Sequence, residues 1–218
     1  MKVNEIFQSI SGEVGEIPQG AVTCFIRFQS CNLSCSWCDT KQAQHPSHGS
    51  VNMSPEEIAA QIPQYSNVVL TGGEPLLQNA HQLHKLVLLL DKKECRMQVE
   101  TNGSIAPFLP ICHVFDYKTP SSGMQDKMMP LPRFLECSGF EQTWIKFVVK
   151  DPEDLDFTLE VLTEFDALYP GWYGLQMVLS IDNGEGVEYA LSKLNEEMPH
   201  LMHRIFFNFQ LHKHFNLH

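Results

Sequence analysis

The sequence predicts an α/β fold with a mostly parallel sheet, and three observations predict it. Short apolar runs of strand character alternate with amphipathic segments of helical period along most of the chain, the pattern that feeds parallel strands through crossover helices. The strand-like runs end in stretches rich in chemistry: Cys31 to Thr40, Gly72 to Pro75, Glu100 to Gly103 and Lys118 to Ser122. Parallel α/β sheets place their sites at the C-terminal ends of the strands, so this convergence argues for one site at one rim. About six strands with too few helices for eight β/α units predict an incomplete (partial) β/α barrel, formed by a single domain over residues 1–218.

Residues 4 to 20 mix apolar residues with three glycines and a proline, which reads as a strand running into an irregular loop. Ala21 to Phe28 is a strand by composition, interrupted by Arg27, and it delivers its end to the cysteine loop. Ser54-Pro55-Glu56-Glu57 is a capping box opening a helix to about Ile62. Asn67 to Thr71 is a short buried strand. Leu76 to Leu90 has helical period, with Leu83, Leu86, Val87 and Leu90 on one face. Cys95 to Glu100 alternates as a strand and stops at the turn residues Thr101-Asn102-Gly103. Ile111 to Tyr117, Thr143 to Val149 and Leu175 to Ile181 are further strands; Asp151-Pro152-Glu153 caps a helix to about Phe165. A helix over Glu185 to Asn195 precedes a last strand, His203 to Leu211. Lys118 to Glu141, with three prolines and Met124, Met128 and Met129, reads as a long irregular stretch whose methionines cover apolar surface.

Composition excludes several classes. A net charge of −11 argues against nucleic-acid or acidic-membrane partners, which require clustered Lys and Arg. The N-terminus lacks the pattern of a secretory signal, and the longest apolar run, Leu86 to Leu90, is far short of the ~20 residues that span a bilayer. The expectation is a cytoplasmic protein with its seven cysteines reduced. Three of these, Cys31, Cys35 and Cys38, stand at the spacing C-x3-C-x2-C, close enough for one loop to wrap an inorganic centre. A [4Fe–4S] cube held by three thiolates keeps one iron without a protein ligand, where a small molecule can bind. A structural zinc would need a fourth ligand, for which Cys24, His45 and His48 are the nearby candidates. A disulfide pair with a spare thiol is the other alternative, and the remaining cysteines, Cys24, Cys95, Cys112 and Cys137, read as small buried hydrophobes.

C-x3-C-x2-C is the signature of radical S-adenosylmethionine (SAM) enzymes, and the form ending Trp37-Cys38-Asp39-Thr40 resembles that of the 7-carboxy-7-deazaguanine synthases. The resemblance runs from Asn4 to the C-terminus through Glu5-Ile-Phe-Gln-Ser-Ile-Ser-Gly-Glu13, Phe25-Ile-Arg27, Leu70-Thr-Gly-Gly-Glu-Pro-Leu76, Glu100-Thr-Asn-Gly103, Lys118-Thr-Pro-Ser-Ser-Gly-Met124, Lys146-Phe-Val-Val149 and Gln210-Leu-His212-Lys213. It departs at Ser11-Gly12-Glu13-Val14, where the family's usual run is Gln-Gly-Glu-Gly, and at Asp116-Tyr117-Lys118, where many members carry Ser-Pro-Lys. Such enzymes convert 6-carboxy-5,6,7,8-tetrahydropterin to 7-carboxy-7-deazaguanine by a ring contraction that loses ammonia, a step towards queuosine and other deazapurines.

The resemblance implies a partial barrel of the radical SAM type and three cofactors: a [4Fe–4S] cluster on Cys31, Cys35 and Cys38, SAM, and Mg2+ on Thr40. It implies SAM contacts from Trp37, Cys38, Asp39, Gly72, Gly73, Glu74, Asp116, Tyr117 and Lys118. The glycines would admit the ligand without Cβ clashes, and Glu74 would accept a hydrogen bond from its ammonium. Substrate contacts are implied for Ile10, Ser11, Gly12, Glu13, Thr71, His212 and His218, with Arg27 meeting the substrate carboxylate in the geometry a guanidinium suits. A homodimer and an electron donor such as flavodoxin or ferredoxin are implied as partners. A glycyl-radical activating enzyme is the neighbouring reading, which Arg27 and His212 disfavour, and a non-catalytic iron–sulfur or zinc module is the reading from another class.

Overall fold

The computed structural model of the chain describes residues 1–45, 49–139, 143–169, 176–181 and 184–215. Nine described strands form one sheet: β1 (Lys2–Ile10), β2 (Val22–Phe28), β3 (Val51–Asn52), β4 (Asn67–Gly72), β5 (Arg96–Thr101), β6 (Cys112–Tyr117), β7 (Thr143–Val148), β8 (Gln176–Ser180) and β9 (Ile205–Asn208). Their spatial order is β3-β1-β2-β4-β5-β6-β7-β8-β9. From β2 to β9 every neighbour is parallel, while β1 pairs antiparallel with both β2 and β3. Among the described residues the sheet is not closed by strand pairing. Its two ends are joined instead by the loop between β1 and β2: Val14 N–H donates to Asn208 Oδ1 at 2.8 Å and Leu211 N–H to the Gly12 carbonyl at 3.1 Å. An incomplete barrel results, as the alternation of elements predicts.

Helices α1 (Lys41–Gln44), α2 (Pro55–Gln61), α3 (Ala80–Asp91), α4 (Leu131–Ser138), α5 (Pro152–Leu168), α6 (Gly184–Glu197) and α7 (Leu211–His214) complete the described elements, with short 3-10 turns between them. The period-two alternation of each strand sorts its residues. One set, including Ile26, Phe28, Val68, Leu70, Val99, Phe115, Ile145, Phe147, Met177 and Leu179, is buried in two apolar clusters shared with the helices. The other set faces a cavity and includes Arg27, Thr71, Glu100, Asp116 and Lys146. Burial of the first set drives folding at ~25 cal/mol per Å2 of apolar surface; the second is left for chemistry.

The caps act where the sequence puts them. Ser54 accepts from Glu57 N–H while the Glu57 carboxylate accepts from Ser54 N–H, and Asp151 accepts from Asp154 N–H at 2.9 Å; each such cap contributes about 1 kcal/mol. Elsewhere the boundaries differ. The third helix begins at Ala80, not Leu76, because Asn79 accepts from Gln82 N–H and so ends a 3-10 turn over Pro75–Leu77. The stretch from Lys118 to Glu141 is not wholly irregular: Pro130 and Pro132 open α4, whose Leu131, Phe134 and Leu135 are buried. Met128 and Met129 do pack on the core there. The last strand is short, since a 3-10 segment occupies Pro199–Arg204 and Leu211 starts α7. Cys24 and Cys95 are buried as expected, but Cys112 is partly exposed and Cys137 exposed.

Candidate active site

A cavity of about 470 Å3 opens at the C-terminal ends of the parallel strands. The sequence-predicted residues Ile10, Gly12, Glu13, Arg27, Cys31, Cys35, Trp37, Cys38, Asp39, Thr40, Thr71, Gly72, Gly73, Asp116 and Lys118 all line it. Three others do not. Ser11 is buried, and its Oγ donates to the Glu13 carbonyl at 3.1 Å, shaping the loop from behind. Tyr117 falls on the opposite side of β6 from Asp116 and Lys118 and packs against Phe115, Phe147 and Phe157. Its side chain therefore belongs to the core. Glu74 is wholly buried, and its carboxylate accepts from Leu76 N–H at 3.0 Å, Thr101 Oγ–H at 2.9 Å and Asn102 N–H at 2.7 Å. Those bonds tie the end of β4 to the end of β5 and hold Glu74 behind the cavity wall. The side chain of His212, which sits in α7, and the whole of His218 lie outside the described residues.

The glycines also work differently from the expectation. A Cβ on Gly73 would stand 2.0 Å from the Ser30 carbonyl oxygen, and one on Gly72, at φ +121°, 2.4 Å from the Phe28 carbonyl oxygen. Bare backbone is needed there to pack β4 against the stem of the cysteine loop. Glu74 N–H donates to Ser30 O at 2.8 Å and Gly73 N–H to Phe28 O at 3.0 Å, fixing the same junction.

Cys31, Cys35 and Cys38 share the cavity wall. Burial pushes the Cys31 and Cys35 thiols up, with the Leu33 N–H bond at Cys31 and the Lys118 ammonium at Cys35 offsetting part of it. Cys31 Sγ accepts from Leu33 N–H and from Asn102 Nδ2–H, each at 3.5 Å. Thiols that are costly to ionise alone yet carry N–H donors suit metal-bound thiolate sulfur. Among the described residues no three His, Cys, Asp or Glu side chains converge as a site for a single metal ion. Cys24, one of the zinc candidates, is buried in an apolar cluster, and His48 lies outside the described residues.

A connected set of charges crosses the floor. Lys118 Nζ lies 2.9 Å from Asp116 Oδ2 and 4.9 Å from the centre of the Trp37 ring, while Lys146 Nζ lies 3.3 Å from the same Asp116 oxygen and pairs with Glu13 Oε2. Gln210 Nε2–H donates to Glu13 Oε1 at 2.8 Å, and Lys213 to Gln210. Burial alone would raise the Asp116 carboxyl, but the Lys118 and Lys146 ammoniums more than offset it and hold it below the usual carboxylate range. Burial likewise works against the charge on Lys146, and Glu13, Asp116 and Glu100 overcome it, leaving the ammonium well above its ordinary value. Asp116 Oδ1 and Arg27 Nε have no hydrogen-bond partner among the described residues. Arg27 is also paired with Glu5 and stacked on Phe7 at 4.8 Å, so the ordinary salt bridge and the place on the cavity wall coexist. Thr71 Oγ–H donates to Glu100 at 3.1 Å. Thr40 occupies the N-cap position of α1, but its hydroxyl donates to Asp39 Oδ1 at 2.7 Å and makes no cap bond.

Sequence reasoning assigned no role to Glu5, Phe7, Glu100, Asn102, Lys146, Gln210 or Lys213, all of which line the cavity. A signal was present for the strand residues: Glu5 faces Arg27 in register, and Asp116 faces Lys146.

Comparison with known proteins gives a consistent result. The family model described as the Radical SAM superfamily matches residues 25–107. The 7-carboxy-7-deazaguanine synthase of Clostridium acetobutylicum is 38% identical over 76% of this chain and 76% of its own length, and that of Methanospirillum hungatei is 37% identical over 74% and 67%. Among solved structures, the crystal structure of QueE from Escherichia coli superposes with a TM-score of 0.67 at 23% identity, covering 89% of each chain, which bears on the fold alone.

Proposed function

The chain belongs to the 7-carboxy-7-deazaguanine synthase family of radical SAM enzymes, and from that membership and the cavity just described we propose that it forms 7-carboxy-7-deazaguanine from 6-carboxy-5,6,7,8-tetrahydropterin with loss of ammonia. The observation that carries this reading is that the C-x3-C-x2-C thiols and the Arg27 guanidinium open into one cavity, of about 470 Å3.

The residues fit the implied groups. Cys31, Cys35 and Cys38 would hold the cluster, the N–H groups aimed at Cys31 Sγ being suited to a metal-bound thiolate. When bound, the cluster and SAM supply the one-electron chemistry that starts the reaction. SAM is assigned to the Trp37, Asp39, Gly72 and Gly73 side of the cavity, where the unpartnered Asp116 Oδ1 is an acceptor for its ammonium. The pterin is assigned to the Ile10, Gly12, Glu13 and Thr71 side. There Arg27 binds the carboxylate through a charge-assisted pair, and Glu5 keeps the guanidinium aimed across Phe7. Glu13, held by Lys146 and Gln210, presents a fixed acceptor to ring N–H groups. Asp39 and Thr40 offer Mg2+ a carboxylate and a hydroxyl at the rim, the sparse protein share such an ion accepts when substrate and water complete its shell. His212 and His218 remain assigned to the segment that closes the substrate side.

We place the enzyme in the cytoplasm, as a homodimer fed by flavodoxin or ferredoxin, and folded as one domain over residues 1–218. Among the described residues no helix is long and apolar enough to cross a membrane. Anaerobic turnover of the reduced protein with SAM and the pterin, read by mass spectrometry, tests the function. The expected product is 7-carboxy-7-deazaguanine; reductive SAM cleavage with the pterin recovered intact would refute the substrate.

A further inference from the structure

We propose that Asn102 is a positioning residue for the cluster: its side-chain amide donates to the Cys31 sulfur and raises the cluster's reduction potential, with Ser104 and Glu74 holding it in that aim. The inference rests on the reading of Cys31, Cys35 and Cys38 as cluster ligands. Asn102 Nδ2–H donates to Cys31 Sγ at 3.5 Å and to Asn32 Oδ1 at 3.1 Å. The orientation of the amide is set by its other end. Oδ1 accepts from Ser104 N–H at 3.0 Å and from Ser104 Oγ–H at 2.6 Å. A backbone N–H can only donate, so the oxygen must face Ser104 and the NH2 must face the thiol.

The backbone of the same residue is pinned independently. Glu74 Oε2 accepts from Asn102 N–H at 2.7 Å, and Glu74 is itself held by Thr101 and Leu76. A wholly buried carboxylate with three donors and no place on the cavity wall is costly to keep unless its geometry matters. Here its geometry sets where the turn after β5 begins. Gly103 continues that turn at φ +69°, over the Phe115 ring, where a Cβ would fall 1.6 Å from a ring carbon. The turn therefore has no slack with which to rotate Asn102 away from Cys31.

A hydrogen bond to cluster sulfur favours the more negatively charged state, so it raises the potential, and its loss lowers it. The couple is one-electron: an external low-potential reductant loses the electron the cluster gains, and no proton or leaving group moves. A donor here makes the cluster easier to charge from such a reductant.

The test is an EPR-monitored redox titration of anaerobically reconstituted holoprotein, with iron counted in each sample. Asn102→Ala is expected to keep its iron and show a more negative midpoint than the wild type. Asn32→Ala removes an acceptor of the Asn102 amide and the Nδ2–H that donates to Ser104 Oγ at 2.7 Å, but it keeps the donor to sulfur, which Ser104 N–H still aims, and it is expected to titrate with the wild type. Equal midpoints in Asn102→Ala and wild type, or an equal shift in Asn32→Ala, would overturn the inference while leaving the cluster assignment standing; a wild-type chain that takes up no iron would overturn both. Should Asn102→Ala fail to fold, pulsed EPR of the reduced wild-type and Asn32→Ala holoproteins labelled with 15N-asparagine decides. A 15N coupling retained in both is expected, and its absence refutes the donor.

Discussion

Lowering the pH from 7 to 4.5 should destabilise this chain through one residue far from the cavity, His113. It lies on β6 at 1% exposure, on the helix side of the sheet, edge-on to Phe134 at 6.3 Å, and neither ring nitrogen has a hydrogen-bond partner among the described residues. Burial holds the imidazole down at about 4 against an ordinary 6.5; the Ile111 backbone near the ring, outside hydrogen-bond geometry, offsets only part of it. A base whose folded value is depressed contributes full stability above its unfolded value, here 6.5, and loses it as the pH falls towards 4. The gap of 6.5 − 4 = 2.5 at 1.36 kcal/mol per unit amounts to about 3 kcal/mol over the whole window. Glu74 acts with the opposite sign, since burial raises its carboxyl and protonation relieves it. The quantity to measure is therefore the difference between wild type and His113→Phe. Urea unfolding of the apo protein under reductant, at half-unit steps from pH 7 to 4.5, should show His113→Phe gaining on the wild type by about 2 kcal/mol across the range, the part of the window sampled. Parallel pH profiles for the two proteins would refute the reasoning.

Three further outcomes follow from the site. Lys146→Met leaves Glu13 and Asp116 facing one another without their shared ammonium and should cost about 3–5 kcal/mol of unfolding free energy in urea. Gly73→Ala places a Cβ on the Ser30 carbonyl and should lower stability by roughly 3 kcal/mol while impairing cluster uptake, both readable from thermal unfolding and iron content. Arg27→Ala should raise the KM for the pterin by the equivalent of about 2–4 kcal/mol and leave SAM cleavage without the pterin unchanged, as assayed by release of 5′-deoxyadenosine.

What could be read from the sequence was local. Capping at Ser54 and Asp151 and the alternation of strands and helices are written in neighbouring residues, and the structure bears them out; the cysteine spacing is equally local, and the three thiols share the cavity wall. The helix boundary at Asn79 was obscured because Leu76 and Leu77 continue the apolar pattern through a 3-10 turn. Prolines at 130 and 132 read as loop residues, although Pro is also well placed at the start of a helix, where its missing N–H costs nothing. Tyr117 was assigned to the ligand by its place in a motif, whereas the period of two along β6 puts it opposite Asp116 and Lys118. The internal bonds of Glu74 were not legible locally, because its partners Thr101 and Asn102 come from another strand end.

The contacts least legible in the sequence are those that make the cavity a closed space. Among the described residues no strand pairs with the outer side of β9, a position that otherwise invites pairing with another chain. The loop between β1 and β2 occupies it with side-chain and turn contacts in place of a ladder: Val14 to Asn208, Gln19 to Gly12 and Phe209, and Leu211 back to Gly12. The same loop sends Ile17 inward, fully buried, with its N–H on Gln98 of β5 at 2.9 Å, and Gly15 packs so closely that a Cβ there would displace the Gln98 amide. Glu13 then reaches Lys146 from above. One short segment thus covers a sheet edge, plugs the space between the strands and delivers a carboxylate to the floor. Changes at Gly12, Gly15 or Gln19 should consequently disturb substrate binding through the position of Glu13, although Gln19 lies outside the cavity wall.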